Sequence, residues 1–181
     1  MRIGHGYDTH RLVEGGPLVL GGVTISYSKG LDGHSDADVV IHAVCDALLG
    51  AMGLGDIGVH FPNTDMKLKD IDSRVLLKQI FDLMKENKFI IGNLDITILA
   101  QEPKMVDYIP MMKENFASDL SSNISLINIK VFTIMFLPEK VTILLTKSDT
   151  LIELPKPTLK RPKGVFCFSI ASFIKSTKSD T

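Results

Sequence analysis

Apolar and polar positions along this chain fall into periods that name most of its elements. Residues 2–9 read as a first strand. "PLVLGGVTISY" (17–27) reads as a hairpin turning on Gly21-Gly22, a pair suited to a tight turn. From Ala37 to Met52 the period becomes helical. Val39, Val40, Val44, Ala47, Leu48 and Ala51 supply apolar faces, while Asp38, His42 and Asp46 recur every fourth residue as one polar stripe. Ser35 or Asp36 is the predicted cap. "GLGDIGVHFPNTD" (53–65) is rich in Gly and Asp and is predicted to be a mobile loop. A second helix is expected over 72–87, with Val75, Leu76, Ile80, Phe81 and Met84 at helical spacing. "GNLDITILA" alternates Leu94, Ile96 and Ile98 with Asn93, Asp95 and Thr97, the pattern of a half-buried strand. A third helix over 106–120 should be regular only in its later part because of Pro110. Residues 125–133 read as a strand, and "GVFCFSIASFIK" (164–175) as an apolar final helix.

These elements predict an α/β (α+β) fold, a single layered domain over 1–181 with a mixed sheet packed with helices. No repeat or linker divides it. The segment 134–163 is the exception: it mixes apolar runs with four prolines and resolves into no single element. Its Lys156, Lys160, Arg161 and Lys163 read more simply as a solvated basic loop than as an anion site.

Composition narrows the classes. The 181 residues are 45% hydrophobic and 23% charged with a net charge of −1, as in a soluble globular domain without a drive toward nucleic acid or membrane surfaces. The two cysteines, Cys45 and Cys167, are far apart and form no CxxC, so a disulfide framework or zinc ribbon is not indicated. No apolar run suits a membrane span and "MRIGHGYD" is not a signal or transit peptide. The expected location is cytoplasmic, or plastid if a transit peptide has been removed.

Candidate chemistry begins with Asp8 and His10, which a strand would place on one face about 7 Å apart. They fit a metal site or a hydrogen-bonded pair at a strand end. His42 adds a second nitrogen; one oxygen and two nitrogens with a fourth position open is the arrangement of a catalytic zinc. Asp38 and Asp46 would then orient the imidazole, and a core histidine satisfied by Asp46 is the rival reading. "HSDAD" sets His34 and Ser35 at a helix N-terminus, which favours an anion such as phosphate; by itself simple capping by Ser35 or Asp36 is the stronger account, and a cap can also host a ligand. His5 should face away from Asp8, and His60 lies in the loop, where it can meet solvent or substrate.

"RIGHGYDTHRL", "GLDGHSDADVVIHAVCDALLGAMGLGDIGVHFPNTD" and "GNLDITILAQEPKM" resemble the 2-C-methyl-D-erythritol 2,4-cyclodiphosphate synthase family of the non-mevalonate route to isoprenoids. The resemblance extends over about residues 1–130. It implies a homotrimer with active sites shared between subunits and a zinc ion on Asp8, His10 and His42. It implies as substrate 4-diphosphocytidyl-2-C-methyl-D-erythritol 2-phosphate, whose 2-phosphate attacks the β-phosphorus and expels CMP. By the same resemblance His34 is catalytic and, with Ser35, contacts the phosphates. Asp56, Ile57, Gly58, Phe61, Pro62, Asn63, Thr64 and Asp65 grip the erythritol part. Ala100, Gln101, Glu102, Pro103, Lys104, Met105 and Val106 line the cytosine pocket of the adjoining subunit.

After Lys130 the pattern breaks. "VFTIMFLPEKV" leaves Thr133 on the family's transition-state threonine but puts Met135 where a glutamate holds a second ion, Mg²⁺ or Mn²⁺. A thioether does not hold a hard cation. Glu139 is the substitute carboxylate if the loop is re-routed. Farther on, "RPKGVFCFSIASFIK" resembles the family's closing segment and sets Arg161 on a phosphate-contacting arginine. The span between is longer than the family's, which an insertion or a reading-frame or splicing error would each explain. Two readings follow: the active cyclase, and a trimeric zinc- and phosphate-binding relative that cyclises poorly.

Overall fold

The computed structural model describes residues 2–62, 64–100 and 102–132, and the backbone of 170–176. The strands are β1 (Arg2–Gly6), β2 (Leu12–Glu14), β3 (Leu18–Leu20), β4 (Val23–Ile25), β5 (Lys29–Leu31), β6 (Phe89–Leu99), β7 (Ile127–Phe132) and β8 (Ile170–Ser176). The helices are α1 (Val39–Met52), α2 (Ile57–His60), α3 (Ser73–Glu86) and α4 (Ile109–Asp119). The main sheet runs β1-β8-β6-β7: β8 is antiparallel to both neighbours, and β6 and β7 are parallel. Two short ribbons, β2/β5 and β3/β4, complete a mixed α/β domain.

Helix α1 lies across β1 and β8, α3 against β6, and α4 against β7. Leu94, Ile96, Ile98 and Ile127 are buried beneath these helices. Their alternate positions, Asp95, Thr97, Asn128 and Lys130, occupy the other face, as period two demands. On that face Lys130 Nζ sits 2.6 Å from Asp95 Oδ2 and Asn128 Nδ2 donates to Asp95 Oδ1.

Strand β1 approaches α1 unusually closely because its inward positions are glycine. A Cβ at Gly4 would come within 1.7 Å of the Ala47 carbonyl oxygen, and one at Gly6 within 1.8 Å of that of Ala43. The hairpin turn falls on Gly21 (φ 58°) and Gly22 (φ 69°), as expected.

Five expectations change. The first strand ends at Gly6, so Asp8 and His10 sit on the extended segment beyond it. Helix α1 begins at Val39 with Asp38 as its cap, because Ala37 has φ 58° and cannot continue a helix. The loop 53–65 contains helix α2, capped by Asp56. The expected final helix is instead strand β8, at least from Ile170; it fills the space between β1 and β6, whose facing backbone groups need partners. Val75, expected on an apolar face, is 41% exposed. The divergent stretch 134–163 lies outside the described residues, as do Cys167 and Glu139.

Candidate metal centre

Two segments converge on one cluster. The segment after β1 brings Asp8 and His10, and the first turn of α1 brings His42. Asp8 Oδ2 lies 3.2 Å from His10 Nε2 and 3.1 Å from His42 Nδ1. One donor atom from each residue fits within 4.8 Å of the others, and the imidazole rings are tilted at 57° with centroids 5.6 Å apart. An oxygen and two imidazole nitrogens, all half-buried, suit a borderline divalent cation. The donor set therefore fits the metal expected from the sequence.

The electrostatics agree. Burial opposes the charge on Asp8, yet hydrogen bonds from His10 and His42 outweigh it and hold the carboxyl far below the usual range. Burial likewise opposes the charge on His42, and the Asp8 carboxylate more than offsets it, raising the imidazole. The carboxylate and the His42 imidazole thus stabilise one another's charged forms. Gly33 closes on the other side of His10: a Cβ there would stand 2.8 Å from Cε1 and 2.9 Å from Nδ1.

The far nitrogen of His42 is held by two hydroxyls. Nε2 lies 3.0 Å from Ser35 Oγ and 2.9 Å from Ser73 Oγ, and Ser73 Oγ in turn donates to Asp36 Oδ1. Ser73 was not singled out in the sequence; a serine opening a helix carries no mark that distinguishes it from an ordinary cap. The expected supports of His42 act elsewhere. Asp38, fully buried, accepts from the N–H groups of Gly21, Gly22, Val40 and Ile41. Burial pushes its carboxyl up to about 6 against those four donors. Asp46 accepts from Ile57 N at 2.7 Å and so ties α2 to α1. His42 is therefore not a core histidine satisfied by Asp46.

His34 is half-buried, and its carbonyl accepts from Asp70 N, so the loop ahead of α1 is pinned to the chain before α3. Asp56 caps α2 through Val59 N, Ile57 and Gly58 lie within that helix, and Phe61 ends it. Pro62, Thr64 and Asp65 form the following turn, where Asp65 N donates to the Pro62 carbonyl. His60 belongs to α2, with Nε2 2.9 Å from the Leu54 carbonyl oxygen. At the end of β6, Ala100 and Met105 are buried in the core, which leaves mainly their backbone for a ligand. Glu102 accepts from Tyr27 Oη at 3.2 Å and precedes Pro103, Lys104 follows, and Val106 is 68% exposed. His5 is exposed on β1. Asn63, Gln101, Thr133, Met135 and Arg161 lie outside the described residues.

Known proteins resemble this chain in sequence and in fold. The chain is 58% identical over 132 residues to the 2-C-methyl-D-erythritol 2,4-cyclodiphosphate synthase of Geobacillus sp., covering 73% of this chain and 84% of that protein. The synthase of Finegoldia magna is 58% identical over 133 residues, 74% and 84% of the two chains. A solved structure of a 2C-methyl-D-erythritol-2,4-cyclodiphosphate synthase bound to CDP superposes with a TM-score of 0.75 at 27% identity, over 96% of this chain and all of that one. The Plasmodium falciparum IspF–CDP complex gives 0.68 at 28% identity, over 96% and 94%. The YgbB family profile matches residues 1–153, and with these relatives it establishes that the chain belongs to the YgbB family, that of the 2-C-methyl-D-erythritol 2,4-cyclodiphosphate synthases.

Proposed function

We propose that this chain converts 4-diphosphocytidyl-2-C-methyl-D-erythritol 2-phosphate to 2-C-methyl-D-erythritol 2,4-cyclodiphosphate and CMP, a lyase step of non-mevalonate isoprenoid biosynthesis. An oxygen of the 2-phosphate forms a bond to the β-phosphorus. The bond from that phosphorus to the CMP oxygen breaks, so the electron pair leaves with CMP. No protein nucleophile is needed; the protein's task is to position two anionic groups and balance their charge.

The observation that carries this reading is the convergence of Asp8 Oδ2, His10 Nε2 and His42 Nδ1 on one point. These residues would hold a zinc ion, which would supply positive charge to polarise the phosphate oxygens. His34 and Ser35, on the loop beside that point, contact the phosphates, and His34 donates toward charge that grows in the transition state. Asp56 through Gly58 and Phe61 through Asp65 hold the erythritol part, with Asp46 fixing where that loop starts. The segment from Ala100 to Val106 would receive cytosine; Thr133 and Arg161, which the family resemblance assigns to the transition state and to a phosphate, lie outside the described residues. A second cation, Mg²⁺ or Mn²⁺, lacks its usual ligand because Met135 stands in the glutamate's place, and Glu139 is the remaining carboxylate for it.

Homotrimer assembly supports the cytosine pocket, since in this family the pocket belongs to the neighbouring subunit. The open face of the sheet, with Ile3 at 60% and Phe132 at 55% exposure, offers a surface for that association. Neither a membrane nor nucleic acid is a partner of this chemistry. Among the described residues no helix is long and apolar enough to cross a membrane. A cytoplasmic site of action accords with the free, buried thiol of Cys45.

A relative that binds the ligands without cyclising them is the less favoured reading, because the identity to named synthases is high. Purified protein supplied with zinc and magnesium should release CMP from the substrate. No release above a blank, with bound zinc confirmed by metal analysis, would overturn the enzyme reading. Sedimentation should give three times 19.9 kDa.

A further inference from the structure

We propose that Ser73, backed by Asp36, is a positioning residue for His42: it accepts the Nε2 proton and so commits Nδ1, the nitrogen beside Asp8, to the metal. The inference rests on the metal reading above and adds a requirement to it.

The direction of the hydrogen bonds follows from what each group can do. An ionised carboxylate only accepts. Asp36 faces Ser73 with both oxygens: Oδ2 takes the backbone N–H of Ser73 at 3.0 Å, and Oδ1 takes the hydroxyl proton. With its own proton committed, Ser73 Oγ has only lone pairs left for His42 Nε2 at 2.9 Å. Nε2 must then carry a proton. An imidazole protonated at Nε2 can offer a lone pair only from Nδ1, and Nδ1 is the atom 3.1 Å from Asp8 Oδ2.

Ser35 Oγ also lies 3.0 Å from Nε2, but nothing fixes its proton in this way. It takes Ala37 N–H at 3.3 Å and lies 3.4 Å from Ser73 Oγ. Ser73 is otherwise hard to account for. It is fully buried at the start of α3, whose cap is Asp72, so capping does not use its hydroxyl. Asp36 is likewise set by the fold: its N–H donates to the Ile71 carbonyl, joining the loop ahead of α1 to the chain ahead of α3. The carboxylate–hydroxyl–imidazole chain thus connects two helices and ends at the metal-facing nitrogen. Partners of this kind fix ring orientation and basicity in metal-binding histidines.

The test uses the full-length, zinc-loaded protein. Zinc affinity is measured by competition with a chelator, and the His42 Nε2–H resonance is followed by ¹H–¹⁵N NMR. Wild type should show a protected Nε2–H signal. Ser73→Ala should bind zinc about ten- to a hundred-fold more weakly and lose that protection. Asp36→Asn leaves Ser73 in place but can donate its amide proton to Oγ, which would turn the chain around; it should weaken zinc comparably. His42→Ala serves as the reference for the site itself. Should it bind zinc as tightly as wild type, the metal reading falls and this proposal with it. Loss of zinc in His42→Ala, combined with unchanged affinity and an unchanged signal in folded Ser73→Ala, overturns the positioning role alone. If Ser73→Ala does not fold, Asp36→Asn decides by the same two measurements.

Discussion

Two aspartates beside α1 have opposite fates. Asp8, half-buried, faces two imidazoles, and its carboxyl is held far down in pH although burial works against it. Asp38, one turn ahead of His42, is fully buried, faces four backbone N–H groups, and is pushed up to about 6. Both accept several hydrogen bonds, so the number of donors does not separate them. What does is the kind of donor and the depth of burial. Hydrogen bonds from two imidazoles outweigh the partial desolvation of Asp8, whereas backbone dipoles only partly offset the full desolvation of Asp38. A carboxylate of the first kind can hand its charge to a cation; one of the second kind can only hold the chain together.

The sharpest way to break this comparison is to truncate each in turn. Asp8→Ala should remove bound zinc and lower CMP release on the order of a thousand-fold, with little change in unfolding midpoint. Asp38→Ala should do the reverse. Removing a cap and leaving buried N–H groups without an acceptor should cost about 3 kcal/mol of stability, read from urea unfolding, while folded molecules keep their zinc affinity. If Asp38→Ala loses zinc without losing stability, the two roles are not separate.

A smaller effect tests the packing around Asp8's partner. Gly33→Ala inserts a methyl into the space of the His10 ring, so the ring must shift. Chelator competition should report zinc affinity weaker by about tenfold. The smallest effect is a pH slope in the metal-free protein. Asp38 keeps its proton to about pH 6 in the fold but gives it up near 3.8 when unfolded. Between those values the folded state binds more protons, so this group's contribution falls as pH rises. Asp8 has the opposite sign and a different window: its contribution is present above its unfolded pKa of about 3.8 and is lost as pH falls through its depressed value. Urea midpoints of wild type and Asp38→Asn between about pH 4 and about pH 6 should differ in slope, the wild type declining more steeply.

The helices and central strands were readable because burial wrote its period into them. Leu94, Ile96 and Ile98 alternate in the chain and are all buried in β6. The metal cluster was readable because its donors are chemically rare and sit in a specific family motif. The cap is not legible in the sequence because Ser35, Asp36 and Asp38 are all good caps; only the positive φ of Ala37 selects Asp38. The sequence of strand β8 reads as a helix because a continuous apolar run has no period, and its conformation is set by distant β1 and β6. Ser73 escaped for a similar reason: its partner Asp36 is far away in sequence, and a serine is ordinary at either place.

The glycines of β1 have a consequence for how this site tolerates change. With no side chain between strand and helix, Gly4 and Gly6 seat the strand directly on the carbonyls of Ala47 and Ala43. That contact works as a machinist's datum surface: the reach from Asp8 to His42 is referred to main chain, whose dimensions are the same in every sequence. Swapping one core side chain for another alters the filling of the domain, but not the reference from which the metal ligands are measured.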